Sequence, residues 1–180
     1  IFTQNITESL NIVLKGMLKK GDHVITTSVE HNSVMRPLRR LERDRGVRIS
    51  TARCGGDASL DPAEIERLID VDTKAVIMTH ASNLTGTILP VREVGRICKK
   101  HGLYFIIDTA QTAGILDIDF NGFNADVIAF TGHKGLMGPQ GTGGFVISDS
   151  ANSVTSPLIE GGTGSNSDIE LQPETLPDKF

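Results

Sequence analysis

The run Leu103-Tyr104-Phe105-Ile106-Ile107 contains no charged residue and no alternation of apolar with polar, and it restricts the fold more than any other stretch of the chain. A strand with one face in water alternates. A strand that is apolar throughout is buried on both faces, as in a mostly parallel sheet covered by helices. The rest of the sequence supplies the covering. Asn5, followed three residues later by Glu8, reads as a helix cap, and Leu10, Val13, Leu14 and Met17 then recur at helical spacing until Gly21. A second helix spans Val34 to Arg45 and stops at Gly46, a third starts at Asp61-Pro62-Ala63-Glu64 and carries Ile65, Leu68 and Ile69 inward, and a fourth spans Val91 to His101 before Gly102. Between them lie strands at Val24 to Thr27, Val47 to Thr51, Ala75 to Thr79, Val127 to Phe130 and Gly144 to Ser148. Strands and helices alternate, so the class is α/β, and 180 residues suffice for one domain with a substantial core.

Composition removes several function classes. A net charge of -4 with dispersed Lys and Arg gives no basic footprint for nucleic acid. No apolar run approaches the roughly 20 residues that span a bilayer, and no charged-then-apolar leader opens the chain, which points to no membrane association and a cytoplasmic protein. Cys54 and Cys98 are too few and too far apart for a disulfide framework or a metal site, and Cys98 falls on the inner face of the fourth helix.

In open α/β sheets ligands gather beyond the carboxyl ends of the strands, so the residues there carry the functional information. Lys134 lies in a glycine-rich loop, Gly132 to Gly144, directly after an apolar strand. Partial desolvation there lowers the pKa of an amine and lets it form a Schiff base with a carbonyl cofactor, with pyridoxal 5'-phosphate the obvious candidate; the plainer reading is a solvated surface lysine. Asp108 ends the apolar run at 103–107, where a buried carboxylate needs a partner such as a protonated pyridine nitrogen, or else simply caps the segment from Thr109 to Gly114. Gln111 can reach a phenolic oxygen if that turn is helical. His31 opens a helix where an imidazole can stack over a planar ring, and Asn83 follows the strand at 75–79. Taken singly, His31 reads as polar loop and Asn83 as a turn residue. Ile6 and Thr7 occupy the first turn of the first helix, where free N–H groups favour phosphate, and Thr131 and His133 add a hydroxyl and an imidazole for the same group. Gly161-Gly162-Thr163-Gly164-Ser165 is a further donor-rich turn, either an anion site or a plain flexible loop.

In combination, the motifs Asn5-Ile6-Thr7-Glu8, Glu30-His31-Asn32, Ser82-Asn83-Leu84-Thr85-Gly86, Asp108-Thr109-Ala110-Gln111, Gly132-His133-Lys134 and Gly161-Gly162-Thr163-Gly164-Ser165 resemble, in that order and across the whole chain, the class V aminotransferase and cysteine desulfurase family. The resemblance implies a pyridoxal 5'-phosphate enzyme with the aspartate aminotransferase type I fold. It implies Lys134 as the cofactor-bearing lysine, Asp108 on the pyridine nitrogen, His31 stacked on the ring, Asn83 and Gln111 near the phenolic oxygen, and Ile6, Thr7, Thr131 and His133 on the phosphate. Thr163 would reach the phosphate bound by a neighbouring subunit of a homodimer. Lys134, His31 and Asp108 would be the catalytic set. In the related cysteine desulfurases an amino-acid substrate, L-cysteine, gives up its sulfur to a nucleophilic cysteine as a persulfide, leaving alanine, and the resemblance extends to an acceptor protein that collects the sulfur. Neither Cys54 nor Cys98 matches the position of that nucleophile. By resemblance, residues 1–180 form the cofactor-binding large domain, truncated at both ends, with the initial segment and the small domain that holds the nucleophile and a carboxylate-gripping arginine lying outside it. Asn5 and Ile6 depart from the small residues more usual in relatives, so a bulkier Ile6 is expected to alter the phosphate turn.

Other readings use the same residues differently: a class V aminotransferase or selenocysteine lyase on this scaffold, a fold that has lost its chemistry, or a nucleotide-binding module built on Gly138 to Gly144. The last fares poorly because no Gly-Lys-Ser/Thr and no helix start follows that loop.

Overall fold

A computed structural model describes residues 1–164 and 168–180. The elements in chain order are β1 (Phe2–Thr3), α1 (Ile6–Met17), β2 (His23–Thr27), α2 (Asn32–Arg45), β3 (Arg48–Ala52), α3 (Pro62–Arg67), β4 (Thr73–Thr79), α4 (Val91–His101), β5 (Tyr104–Asp108), β6 (Val127–Thr131), β7 (Gly143–Ile147) and α5 (Asp149–Val154). The seven strands form one sheet in the order β1-β7-β6-β5-β4-β2-β3. From β3 to β6 all neighbours are parallel, whereas β7 runs antiparallel to both β6 and β1.

Burial on both faces follows from the pleat. Along β4 and β5, Ile77 and Ile106 turn toward a core completed by Leu10, Val13 and Leu14 of α1 and Leu38 and Leu41 of α2. Their neighbours Val76, Met78, Phe105 and Ile107 turn toward a second core with Ile65 of α3 and Val91, Val94 and Cys98 of α4. Each such side chain fully removed from water stabilises the fold by about 1.5 to 3 kcal/mol.

Local chemistry sets the helix ends. Asn5 accepts the Glu8 N–H through its side chain at 3.0 Å, and the Glu8 carboxylate takes the Gln4 N–H at 2.6 Å, one residue earlier than a reciprocal capping box requires. Asp61 accepts the Ala63 N–H at 2.9 Å ahead of Pro62. Gly46 and Gly102 end α2 and α4 in the left-handed conformation. Helix α1 stops at Met17 rather than continuing toward Gly21, because Leu18 leaves in extended geometry to bury its side chain completely. Helix α2 starts two residues before Val34, since His31 serves as its cap.

The chain's last segment is not the open tail that its polar, proline-containing sequence suggests. Phe180 packs edge-on against Phe145 with ring centres 5.6 Å apart, and the buried Lys179 ammonium donates to the Asn152 carbonyl at 2.7 Å. Among the described residues, no helix is long and apolar enough to cross a membrane.

Candidate active site

The register of the parallel strands brings their carboxyl ends to one edge: Thr79 pairs with Asp108, and Asp108 with Ala129 two residues before the end of β6. Asp108 is the last residue of β5 rather than the first residue beyond it, because its backbone stays in the ladder and its carbonyl accepts the His80 N–H at 2.9 Å. Its side chain is 2% exposed. Oδ1 accepts the Ala110 N–H at 2.8 Å, so Asp108 does cap the following turn, and Ser33 of α2 also favours the charged form of this carboxyl. Burial pushes the pKa of this acid up; the Ala110 N–H opposes the shift first, followed by Lys134, His31 and Ser33. Lys134 and His31, which follow two other strands, therefore both bear electrostatically on Asp108.

His31 caps α2 through its ring. The Ser33 N–H donates to Nδ1 at 3.1 Å and the Ser33 hydroxyl lies 2.8 Å from the same nitrogen. Accepting at Nδ1 leaves the hydrogen of a neutral ring on Nε2, the nitrogen directed away from the helix. The ring is exposed and shares an open cleft of about 370 Å³ with Thr7, Lys15 and Arg36.

Lys134 differs from expectation in one respect: it is exposed, not sheltered. Its loop joins the antiparallel pair β6 and β7 and projects past the edge of the sheet, so His133, Leu136 and Met137 are exposed with it. The backbone beneath it is nonetheless fixed. Gly132 donates to Thr142 O, Met137 to Lys134 O and Gly138 to Gly132 O, each at 2.8 Å. Glycines let the loop press on the turn after Asp108. A side-chain carbon added at Gly114 would stand 2.5 Å from the Gly135 backbone, and one at Gly135 would stand 2.6 Å from the Ala113 carbonyl oxygen. The run Gly138 to Gly144 leads into strand β7, not a helix, which removes the nucleotide-loop reading.

A third close approach places the first turn of α1. Gly143 pairs with both Thr131 and Thr3, and a side-chain carbon on it would stand 2.7 Å from the Asn5 Cα, so the cap of α1 lies against the end of β6. Ile6 does not crowd this turn as its size suggests. Its side chain is buried in the core, leaving the backbone N–H groups of Ile6 and Thr7 at the open helix end. Thr131 is buried, with its hydroxyl 3.1 Å from His133 Nδ1. Gln111 sits in a turn, not a helix, closed by an Ala113 N–H to Thr109 carbonyl bond at 2.9 Å. These groups fit pyridoxal 5'-phosphate on two counts: a buried acid suited to a protonated ring nitrogen, and free N–H donors with a hydroxyl suited to its phosphate.

Two expected site residues are not brought to this group by any contact among the described residues. Asn83 is exposed at the tip of a hairpin held by the Ala81 to Ile88 bridge, and that hairpin is tied through Thr87 to the Asp57 carbonyl at 2.5 Å. Thr163 lines a cavity with Phe2, Thr3 and Glu8 at the β1 end of the sheet, while Ser165 of the same motif lies outside the described residues. Three residues gain a place here that the sequence did not assign them: Ser33, which favours the charged form of Asp108; His80, buried with Nδ1 3.0 Å from the Thr112 hydroxyl; and Glu30, whose carboxyl is buried beside Asp108. Glu30 and Ser33 lie one and two residues from His31, and that nearness was the available signal. No group of His, Cys, Asp or Glu among the described residues is arranged to hold a metal ion.

The aminotransferase class-V family description matches residues 1–180. A probable cysteine desulfurase of Methanothermobacter thermautotrophicus is 39% identical over 163 residues, covering 90% of this chain and 40% of that protein. Among solved structures, the apo cysteine desulfurase of Thermococcus onnurineus NA1 has a TM-score of 0.84 and 38% identity over 91% of this chain and 42% of the other. SspA in complex with cysteine has a TM-score of 0.84 and 31% identity, covering 91% of this chain and 48% of the other. The chain spans about two fifths of the length of the curated relatives it matches.

Proposed function

This chain belongs to the aminotransferase class-V family, and from that premise we propose that it is the cofactor-binding part of a pyridoxal 5'-phosphate-dependent cysteine desulfurase. The substrate is L-cysteine; its sulfur passes to a protein thiol as a persulfide and alanine is released. The observation that carries the reading is the buried Asp108 carboxyl at the end of β5, with Lys134 and His31 both bearing on it. Relatives named cysteine desulfurase at 38–39% identity, and the likeness to a protein solved with cysteine bound, support the substrate class.

When bound, the cofactor supplies an electron-withdrawing ring that stabilises a carbanion at the substrate α-carbon. Asp108 keeps a positive charge on the ring nitrogen, and its burial keeps water from competing for that ion pair. His31 presents its ring face from a fixed cap. The Ile6 and Thr7 N–H groups, with Thr131 and His133, bind phosphate, and Gln111 orients the phenolic oxygen. Lys134 Nζ holds and moves the α-proton on a loop whose backbone is tied at both ends. Cys98 is excluded as sulfur acceptor, since burial pushes its thiol up to about 12 and it is 1% exposed. Thr163 and Asn83 belong to the proposed cofactor shell by family position, the first from a neighbouring subunit of a homodimer, and a sulfur-accepting protein would collect the persulfide.

The test is reduction of the full-length, cofactor-loaded protein with borohydride followed by peptide mapping. The label is expected on Lys134, and Lys134→Ala should abolish both the visible absorbance and alanine release from cysteine. A cofactor still fixed covalently elsewhere in Lys134→Ala would overturn the assignment.

A further inference from the structure

Glu30 lies in the short connection between β2 and α2, next to His31, and the chemistry described above makes no use of it. The residue as a whole is partly exposed, but its carboxyl is inside. Oε1 accepts two hydrogen bonds, from the Thr27 hydroxyl at 2.5 Å and from the Thr79 N–H at 3.0 Å, so this one oxygen ties the carboxyl end of β2 to that of β4. Oε2 is buried with no hydrogen-bond partner among the described residues. An ionised carboxylate in this position would leave half of its charge on an oxygen without a donor, which is the costly arrangement in a dry interior. A protonated carboxyl lowers that cost: Oε1 stays the acceptor of two bonds, and the unpartnered Oε2 then carries a neutral hydroxyl in place of half a negative charge, the smaller of the two penalties.

The neighbours point the same way. Strands β2 and β4 face Glu30 with uncharged donors, Thr27 and Thr79, while β5 faces it with Asp108, whose negative charge opposes ionisation. Asp108 has a donor of its own, the Ala110 N–H, and Lys134 favours its charged form. Two buried carboxyls that sense each other do not both ionise cheaply, and the one supplied with an opposite charge takes the charge. Burial pushes the Glu30 carboxyl up to about 8, with Asp108 adding to the shift.

We propose that Glu30 is a positioning residue that keeps its own proton, so that a single negative charge, that of Asp108, lies under the candidate cofactor ring while the ends of β2 and β4 stay fastened. The inference rests on the proposed role of Asp108 for its consequence, but not for its test. The carbonyl stretch of a protonated carboxylic acid can be followed by infrared spectroscopy as a function of pH in the full-length protein stripped of cofactor. The expected result is a protonated-acid band at neutral pH that disappears with a midpoint near 8, is absent in Glu30→Gln, and in Asp108→Asn disappears at a lower pH because the neighbouring charge is gone. Incorporating carbon-13 glutamate shifts the band in the unsubstituted protein and marks it as a glutamate's, and its response in Asp108→Asn then ties it to the neighbour of that residue even if Glu30→Gln fails to fold. A purely structural Glu30 would give no midpoint that responds to Asp108. Absence of a glutamate band at neutral pH, or a midpoint unmoved in Asp108→Asn, overturns the proposal. If the band behaves as expected but Asp108→Asn leaves the absorbance of the cofactor-loaded protein unchanged, the ring-nitrogen role of Asp108 falls and the charge arrangement at Glu30 stands.

Discussion

Placing Lys134 over the turn after Asp108 depends on two glycines pressed together, and three substitutions separate the reasons. Gly114 has φ +83°, and a methyl group there would meet the Gly135 carbonyl carbon and oxygen at 2.5 Å and Leu136 N at 2.7 Å. Gly141, at the far end of the same loop, has nearly the same backbone, φ +80°, with nothing within 4 Å of an added carbon. Gly135 is the converse: its backbone is outside the left-handed region, but an added carbon would lie 2.6 Å from both the Ala113 carbonyl oxygen and Ile115 Cγ1. Left-handed geometry costs an alanine about 1 to 2 kcal/mol. Forcing a methyl group into a filled contact costs about 1 to 3 kcal/mol. Gly141→Ala should therefore lose about 1 to 2 kcal/mol of stability, Gly135→Ala about 1 to 3, and Gly114→Ala the sum, about 2 to 5. Urea unfolding with a common slope reads these directly. Because Gly114 and Gly135 share one contact, the double alanine variant should lose less than the sum of the two singles. A Gly114→Ala cost equal to that of Gly141→Ala would mean that the loop backs away freely, and the argument that glycine contacts aim Lys134 would fail.

Stability should also depend on pH through Glu30. Its folded pKa, about 8, lies above the ordinary 4.5, so its contribution is fully present below pH 4.5 and is lost as pH rises to about 8, by at most about 5 kcal/mol. Glu30→Gln should flatten that part of the profile in urea titrations run at successive pH values, and an unchanged slope would count against a neutral Glu30. Of the two cysteines described, Cys54 is partly exposed and Cys98 is buried with its thiol pushed up to about 12. A thiol reagent under native conditions should modify Cys54 and spare Cys98 until the protein unfolds, as peptide mapping would reveal.

What could be foreseen divides along physical lines. Helix α4 is legible to the residue, because a periodic apolar face ends at a glycine, and the central parallel strands β4, β5 and β6 are legible from their apolar runs, whereas β3, Arg48–Ala52, is mostly polar. Strand β1 has two residues and exists only through pairing with β7, more than 140 positions away, so no local pattern announces it. Helix α5 is six residues with one buried side chain, too short for a period to show. At the site, Asp108 stands out because a carboxylate terminates an apolar strand. Glu30 does not: in Ser28-Val29-Glu30 a glutamate reads as a solvated turn residue, and only the arrival of β4, bringing the Thr79 N–H, turns its carboxyl inward. For Lys134 the sequence leaves a sheltered and a solvated amine both open, since glycine-rich sequence after a strand says nothing about how far the loop projects.

That exposure bears on how the lysine works. A surface lysine ordinarily owes its imprecision to both backbone and side chain, but here the two differ. The Lys134 carbonyl accepts the Met137 N–H, Gly132 is bonded to Thr142 across the loop, and Gly135 is packed on Ala113, so the Cα is held by the sheet although the amine is in water. What is left to order is side-chain rotamer freedom, about 2 kcal/mol for a lysine. The charge that would draw the amine inward is the one the buried groups concentrate on Asp108, supported by Ser33 and the Ala110 N–H and left unrivalled by a protonated Glu30. The loop fixes where the amine starts, and the division of protons between two buried acids fixes the charge it is drawn toward.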